Sequence, residues 1–305
     1  MAKFQINYLG CGSATPTERH LPSCQVIDFR DRLFMIDCGE GAQLQLRRMH
    51  LKFSRLSHIF ISHLHGDHFL GLPGLLSTLA LHSVDSSVTV HTFPEGIEIL
   101  RRLMRMFCHD TSFALHYEPV DPAGGLVLDE RSFTVRAFPL YHRVPCVGYV
   151  FEEKPKERHL RGDMIRFLNI PVSRIKDIKA GADYLAPDGR LWLNSELTTD
   201  PDPAMSYAYC SDTRFDMRVA EAVRGVDTVY HESTYLSDWE HKAAPRGHST
   251  AAQAGMIAEA AGARRLVLGH YSKSYDDDSL FAREAATTFS GEIIAAREGL
   301  RIDLL

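Results

Sequence analysis

Ser62-His63-Leu64-His65-Gly66-Asp67-His68 is the stretch on which the reading of the whole chain turns. Before it, His58-Ile59-Phe60-Ile61 has the β-branched and aromatic content of a buried strand. After it, Leu70-Gly71-Leu72-Pro73-Gly74-Leu75-Leu76 opens like a helix. The seven residues are therefore expected on a strand-to-helix loop. Three imidazoles and one carboxylate within six positions exceed what packing alone would place there, because each buried polar group needs a partner. A metal ion supplies one. Two histidines one residue apart can converge on one ion from a turning loop, while the Asp67-His68 pair reaches a second ion beside it. Nitrogen and carboxylate donors without nearby thiolates suit Zn²⁺, with Mn²⁺ or Fe²⁺ as the alternatives. A structural zinc site would close its shell with four protein ligands, normally with cysteines among them; this one reads as open, hence catalytic. A solvated His-rich loop is the competing reading, and it does not account for the strand and helix on either side.

Outward from that loop, length and composition set limits. A chain of 305 residues, 45% hydrophobic and 24% charged, can bury a large core as one α/β domain or two fused halves. The six cysteines (Cys11, Cys24, Cys38, Cys108, Cys146, Cys210) form no Cys-x-x-Cys pair. That argues against a thiolate metal site and a disulfide scaffold, and fits buried thiols in a reducing compartment. Met1 to Leu9 alternates apolar and polar side chains like a first strand and lacks the apolar core of a signal peptide. No run approaches about 20 apolar residues, so no membrane span is expected, and a soluble, cytoplasmic protein is. The net charge of −5 argues against broad adhesion to nucleic acid. A polyanionic substrate must be held by a local basic feature and by the metals.

Gln25-Val26-Ile27-Asp28-Phe29 and Arg32-Leu33-Phe34-Met35-Ile36 read as a hairpin around Arg30-Asp31, and Gly41 to His50 as a short basic-tipped helix. Asp37, at the end of the second strand, reads as a cap for that helix, while the resemblance of the ligand loop to a known family implies instead a group that hydrogen-bonds this loop and orients it. Ser87 to His91 is a further strand, and Glu95 to Phe107 a helix with Ile97, Leu100, Met104 and Phe107 along one face. The second half continues with strand Thr228 to Tyr230, helix Ser249 to Ala261, strand Leu266 to Leu268 and helix Leu280 to Thr288. Between the halves, 150–194 changes character. It is charged and mixed in sign, with Lys154, Lys156, Arg158, Arg161, Lys176 and Lys179 as candidate substrate contacts, and Met164 to Leu168 as a small apolar patch. A solvated surface loop and an inserted, flexible, projecting arm both fit it. His58, His82, His91 and His116 have no ligand partner by spacing.

The ligand loop resembles the HxHxDH signature of the metallo-β-lactamase superfamily. That resemblance implies an αββα sandwich over residues 1–305, with an arm inserted at 150–194 and ligands gathered along one sheet edge. It also points to later ligands at strand ends: Phe133 to Phe138 leads to His142, Tyr207 to Ser211 leads to Asp212, and Arg265 to Gly269 leads to His270. Five features narrow the resemblance to the ribonuclease Z family, endoribonucleases that trim the 3′ trailer from precursor tRNA. They are Asp67 within the motif, the opening Tyr8-Leu9-Gly10-Cys11-Gly12-Ser13-Ala14-Thr15-Pro16-Thr17, the arm, His231-Glu232-Ser233-Thr234, and Gly247-His248-Ser249-Thr250. One stretch departs: Ile170-Pro171-Val172-Ser173-Arg174-Ile175-Lys176 stands where short bacterial members usually carry a Gly-Pro-rich segment.

The resemblance implies that His63, His65 and His142 bind one Zn²⁺, that Asp67, His68 and His270 bind the other, and that Asp212 bridges them. Two ions roughly 3.5–4 Å apart can hold a hydroxide that attacks phosphorus in line, leaving a 3′-hydroxyl on the tRNA and a 5′-phosphate on the trailer. Asp67 is expected to be both ligand and acceptor of the water's proton. His248, steadied by Glu232, is the candidate for protonating the leaving 3′-oxygen; its alternative is a neighbour of a helix cap before Ser249. His231 is either a supporting group near the metals or a hydrogen-bonded core histidine. The family implies a homodimer, and Leu44, Leu46, Arg47, Arg48 and Met49 offer it a contact face, or the face of an ordinary core helix. Rival functions are a thioesterase of the glyoxalase II type, a cyclic-nucleotide phosphodiesterase, and a non-enzymatic scaffold with a relic site. A β-CASP RNA-processing enzyme would need a much longer chain.

Overall fold

Two seven-stranded sheets carry the architecture of the computed structural model, which describes residues 4–81, 87–108 and 113–304. The first sheet runs in the order Arg301–Asp303, Phe4–Gly10, Cys24–Phe29, Arg32–Ile36, Leu56–Phe60, Ser87–Thr92, Ala114–Pro119, antiparallel up to Arg32–Ile36 and parallel beyond it. The second runs Glu292–Ala295, Arg265–Gly269, Thr228–Glu232, Ser206–Cys210, Cys146–Glu153, Phe133–Leu140, Gly125–Asp129, its first four strands parallel. Chemistry-bearing loops leave the carboxyl ends of parallel strands in both sheets: the ligand loop after Leu56–Phe60, Asp212 after Ser206–Cys210, and His270 after Arg265–Gly269.

Each sheet has helices on its outer face, which gives the αββα sandwich. Leu72, Leu75, Leu76 and Leu79 of helix Gly71–Leu81, with Leu100 and Met104 of helix Pro94–Phe107, pack on Val26, Met35, Ile59 and Val90. On the other side Val219 and Ala220 of helix Met217–Ala222, and Ile257 and Ala261 of helix Ala251–Ala261, pack on Val150, Ala208 and Val229. The inner layer is aromatic. Phe60 and Phe151 meet edge to face at 5.3 Å, and the buried Tyr hydroxyls find partners across the sandwich. Tyr149 donates to the Ile61 carbonyl (2.7 Å), Tyr207 to Gln25, and Tyr209 to Asp37 (2.7 Å).

The predicted hairpin is present, with Arg30 and Asp31 at φ 47° and 63°, the left-handed pair that matches the strand twist. The first strand differs from its sequence pattern. Alternation suggests one wet face, yet all seven residues of Phe4–Gly10 are buried, and the amide nitrogens of the polar ones find internal acceptors: Gln5 donates to Asp303 (2.8 Å) and Asn7 to the Val26 carbonyl (3.0 Å). Helix Ala42–Arg48 buries Leu46 and sends Met49 into the core just beyond it, so only Leu44 of its apolar residues is largely exposed; it is a core helix.

His58 and His91 share a hydrogen bond (2.9 Å) in this aromatic layer, with Phe34 and Phe60 stacked on them. Burial lowers His58 to about 4, helped by the Arg32 guanidinium, and His91 to about 3. Both are neutral in the native protein, whereas the unfolded chain protonates them near pH 6.5. Stability is therefore undiminished above that value and falls with acid, by up to about 1.4 kcal/mol per pH unit for each ring, until their own values are reached. The double variant His58→Phe/His91→Phe should flatten the melting temperature of the metal-loaded protein between pH 6.5 and 4. An unchanged slope would refute this account. His116 sits on the strand Ala114–Pro119, and His82 lies outside the described residues.

A second compact unit comprises Glu153–Ala204 with Arg131–Phe133, later bounds than the predicted 150–194. It has its own apolar cluster of Ile170, Ile178, Tyr184, Ala186, Trp192 and Leu197, against which Met164, Ile165 and Leu168 pack while Phe167 stays 74% exposed. Ile170 to Lys176, the departure noted above, runs into helix Val172–Lys179 with Pro171 as its N-cap. Of the six predicted cations, Lys156 pairs with Glu153 (2.8 Å), Arg158 with Asp200 (2.7 Å) and Lys179 with Glu157 (3.4 Å); Arg161 and Lys176 are exposed. All six cysteines are free thiols, five of them buried. Among the described residues no helix is long and apolar enough to cross a membrane.

Candidate metal centre and active site

The ligand loop is built on Asp37. Its carboxylate accepts four hydrogen bonds of 2.7 Å, from the Ser62 amide, the Ser62 hydroxyl, His68 Nδ1 and the Tyr209 hydroxyl. Asp37 makes no helix cap here; Gly41 occupies that place, without a side-chain cap. The loop is also shorter than its sequence suggests, since Gly66–Phe69 already forms a helical turn carrying Asp67 and His68.

Two donor groups meet around Asp212. In the first, the Nδ1 atom of His65 lies 3.2 Å from both His63 Nε2 and His142 Nε2, with Asp212 Oδ2 3.6 Å from His63 and 3.9 Å from His142. In the second, His68 Nε2 and His270 Nε2 are 3.3 Å apart, Asp67 Oδ2 lies 3.6 and 3.5 Å from them, and Asp212 Oδ1 lies 3.4 and 3.1 Å from them. All seven predicted ligands are thus brought together, with the two oxygens of Asp212 facing different groups.

The donors fit divalent ions. Ser62 gives its proton to Asp37, so it accepts from His63 Nδ1–H (3.0 Å). Thr234 gives its proton to Glu232 (2.7 Å), so it accepts from His270 Nδ1–H (2.8 Å). His68 donates to Asp37, and His142 Nδ1 to the Gly247 carbonyl (2.8 Å). Four rings are therefore fixed with their Nε2 lone pairs pointing inward at one another, an arrangement without hydrogen-bonding sense and the usual one for imidazole ligands. Asp212 Oδ1, fully buried, has no hydrogen-bond donor. Gly247, at φ +77°, is held to glycine by His142, whose ring would meet a Cβ at 2.5 Å.

Beside the donors, Glu232 is completely buried and saturated. It accepts from the amides of Thr213 (3.2 Å), Ser249 (3.0 Å) and Thr234 (2.9 Å), and its Oε1 lies 3.0 Å from His248 Nδ1. Burial works against the His248 cation, but the Glu232 carboxylate outweighs it and raises the imidazole above its ordinary value. The cap of helix Ala251–Ala261 is Thr250, with Gln253 reaching back to it, so His248 is no part of that cap. His231 is buried, and among the described residues its one hydrogen bond runs to the Glu232 carbonyl (2.7 Å) rather than to a ligand. A cavity of about 290 Å³ opens over the donors, with Ser13, Thr15, Arg143, Tyr235, Arg246 and His248 among its walls. Sequence reading missed Thr234, the pivot between Glu232 and His270, although the His231 to Thr234 motif contained it; Arg143 and the Ala14 amide, which donates to Asp67 (2.7 Å), carried no signal.

A family profile described as Anti-Pycsar protein Apyc1 matches residues 4–114, which ends before His142 and every later ligand. Ribonuclease Z of Bacteroides fragilis (strain YCH46) is 46% identical over 306 residues, covering 100% of both chains. Among solved structures, the short form of human tRNase Z superposes with a TM-score of 0.71 at 25% identity, covering 98% of each chain. YhfI of Bacillus subtilis, a metallo-β-lactamase fold protein, gives 0.70 at 18% identity over 99% of this chain and 100% of its own. Fold and donor set together define a metal-binding hydrolase of the metallo-β-lactamase fold. Full-length identity at this level goes further: the chain belongs to the ribonuclease Z family, and it is an endoribonuclease.

Proposed function

We propose that this chain removes the 3′ trailer from precursor tRNA with two zinc ions per subunit, leaving a 3′-hydroxyl on the tRNA and a 5′-phosphate on the trailer. The observation that carries the reading is Asp212, whose Oδ2 faces the His63, His65, His142 group while its Oδ1 faces Asp67, His68 and His270. These residues would hold the ions, and bound metal would supply Lewis-acid chemistry, lowering the pKa of water and offsetting charge on the phosphoryl oxygens. Asp67 orients the attacking water and accepts its proton through one carboxylate oxygen. Glu232 holds His248 as a cation whose free ring nitrogen, without a hydrogen bond among the described residues, donates to the departing 3′-oxygen. Asp37 keeps the ligand loop in register from behind.

The unit of residues 153–204 is the tRNA-binding arm in this reading, with Arg161 and Lys176 among its exposed cations and a homodimer as the assembly. Reduced, buried thiols favour the cytoplasm. Glu152 and Ser206 are opposite partners on adjacent antiparallel strands, so the intervening residues can be replaced by an Asn-Gly hairpin turn without disturbing the ladder. With an unmodified precursor transcript, cleavage should map to the 3′ side of the mature tRNA end. The hairpin variant should lose that cleavage by about 100-fold through binding, an estimate set by the loss of several phosphate contacts, yet still hydrolyse bis-p-nitrophenyl phosphate. A cut elsewhere would reject the substrate, and equal loss on both substrates would reject the arm.

A further inference from the structure

The loop of residues 11–22 reaches the active site at its tip and is fastened by a buried ionic cluster at its base. At the tip, Ser13, Ala14 and Thr15 line the cavity, and the Ala14 amide donates to Asp67 Oδ2. Ala14 sits at φ 59°, a left-handed backbone that alanine does not choose unaided, so something else must hold it. Part of the hold is backbone: the Gly12 amide donates to the Leu21 carbonyl (2.9 Å) and the Ser13 amide to the Tyr271 carbonyl (3.1 Å).

The rest converges on His20. Its Nε2 lies 2.9 Å from Asp278 Oδ2 and its Nδ1 3.1 Å from Glu298 Oε2, with the side chain 8% exposed. The Nδ1 contact with Glu298 is a hydrogen bond and the Nε2 contact with Asp278 an ion pair without hydrogen-bond alignment, and carboxylates this close to both ring nitrogens favour the doubly protonated ring. Glu298 also accepts from the amides of Leu21 (2.9 Å) and Cys11 (3.4 Å), so the same carboxylate grips both ends of the loop. Arg19, whose guanidinium is 4.0 Å from Asp278, donates to the carbonyls of Tyr275 and Asp276. The remaining neighbours are the Tyr271 ring at 5.5 Å and the Cys11 thiol, which is turned to the Ala296 carbonyl (3.5 Å).

We propose that His20, clamped as an imidazolium between Asp278 and Glu298, is a positioning residue for the hydrolysis: it locks the 11–22 loop so that the Ala14 amide fixes the orientation of Asp67. The inference rests on Asp67 acting in the reaction. It adds a part of the machinery that lies outside the metal ligands and is assembled from both ends of the chain. Burial opposes the charge on His20, but the two carboxylates raise the ring to about 9. The clamp is therefore closed at neutral pH and opens as pH rises through that value.

The test uses the metal-loaded full chain, with His20→Gln as the direct variant and Asp278→Asn as a milder one at a carboxylate that is 27% exposed. Kinetics with bis-p-nitrophenyl phosphate would be read beside metal content and hydrogen exchange of the peptide containing Ala14. Both variants should keep their metals, lower kcat about tenfold with KM within twofold, and exchange the Ala14 amide at least about tenfold faster, as expected for a reacting group misplaced by a fraction of an ångström. In the wild type, Ala14 exchange should gain extra acceleration above about pH 9 that His20→Gln lacks. Wild-type kcat together with a protected Ala14 amide in both variants would overturn the clamp. So would a further metal equivalent, bound by the wild type and lost in His20→Gln, since Cys11, His20 and Glu298 would then be ligands. Asp67→Ala serves as the control: full turnover in that variant would reject the catalytic reading of Asp67, whereas the exchange result judges the clamp on its own.

Discussion

Asp67→Ala should lower turnover of precursor tRNA by about 10³-fold or more while the chain still folds. The carboxylate faces His68 and His270 at 3.6 and 3.5 Å and takes the Ala14 amide on the same oxygen. Removing it deprives the second ion of an anionic donor and the attacking water of its proton acceptor, and losses of this order accompany removal of a group acting in the transition state. The fold has other anchors there: Asp67 is not a member of the apolar clusters, and the loop is held through Ser62 and His68 to Asp37. Asp67→Asn separates the two roles. It keeps an acceptor for the Ala14 amide and a neutral ligand, so at saturating zinc a fully loaded yet inactive Asn variant would place the weight on proton acceptance. Near-normal turnover by Asp67→Ala would refute the assignment altogether.

His248→Ala should reduce kcat on RNA by about 10²- to 10³-fold with little change in KM, the usual scale for a general acid. The leaving 3′-oxygen of a ribose departs as a poor, strongly basic alkoxide unless it is protonated or shielded. A p-nitrophenolate leaves unaided. Hydrolysis of bis-p-nitrophenyl phosphate should therefore survive the substitution far better than cleavage of precursor tRNA, and Glu232→Gln should show a weaker form of the same split because it withdraws the counter-charge 3.0 Å from Nδ1. Equal losses on both substrates would remove His248 from proton transfer and leave it a structural group beside His142 and His270.

The ligands were legible because each is a chemically distinctive residue at the end of a strongly patterned strand. Spacing alone singled out His63, His65, Asp67 and His68 after the β-branched and aromatic run His58 to Ile61; His142, Asp212 and His270 were reached through the family resemblance, which pointed to the ends of later strands. Two kinds of feature were not legible. The side-chain amides of Gln5 and Asn7 donate to Asp303 and Val26, partners supplied by tertiary pairing, so the alternation pointed to a wet face that does not exist. In 153–204 the buried residues come from an eight-residue helix (Ile178), a four-residue one (Leu197), two-residue strands (Tyr184, Trp192) and the turns between them (Ile170, Ala186), too short to leave a period; they meet only after the chain has folded back on itself. His20 fails for the same reason, with its carboxylates more than 250 positions downstream.

Asp37 ties Ser62 and His68 of one sheet's loop to Tyr209 of the other sheet through a single carboxylate. Prising the two halves of the sandwich apart must therefore drag on the very loop that would grip the ions. Loss of a bound divalent ion and separation of the sheets should then occur together, so that metal content and the melting transition of a preparation fall in step.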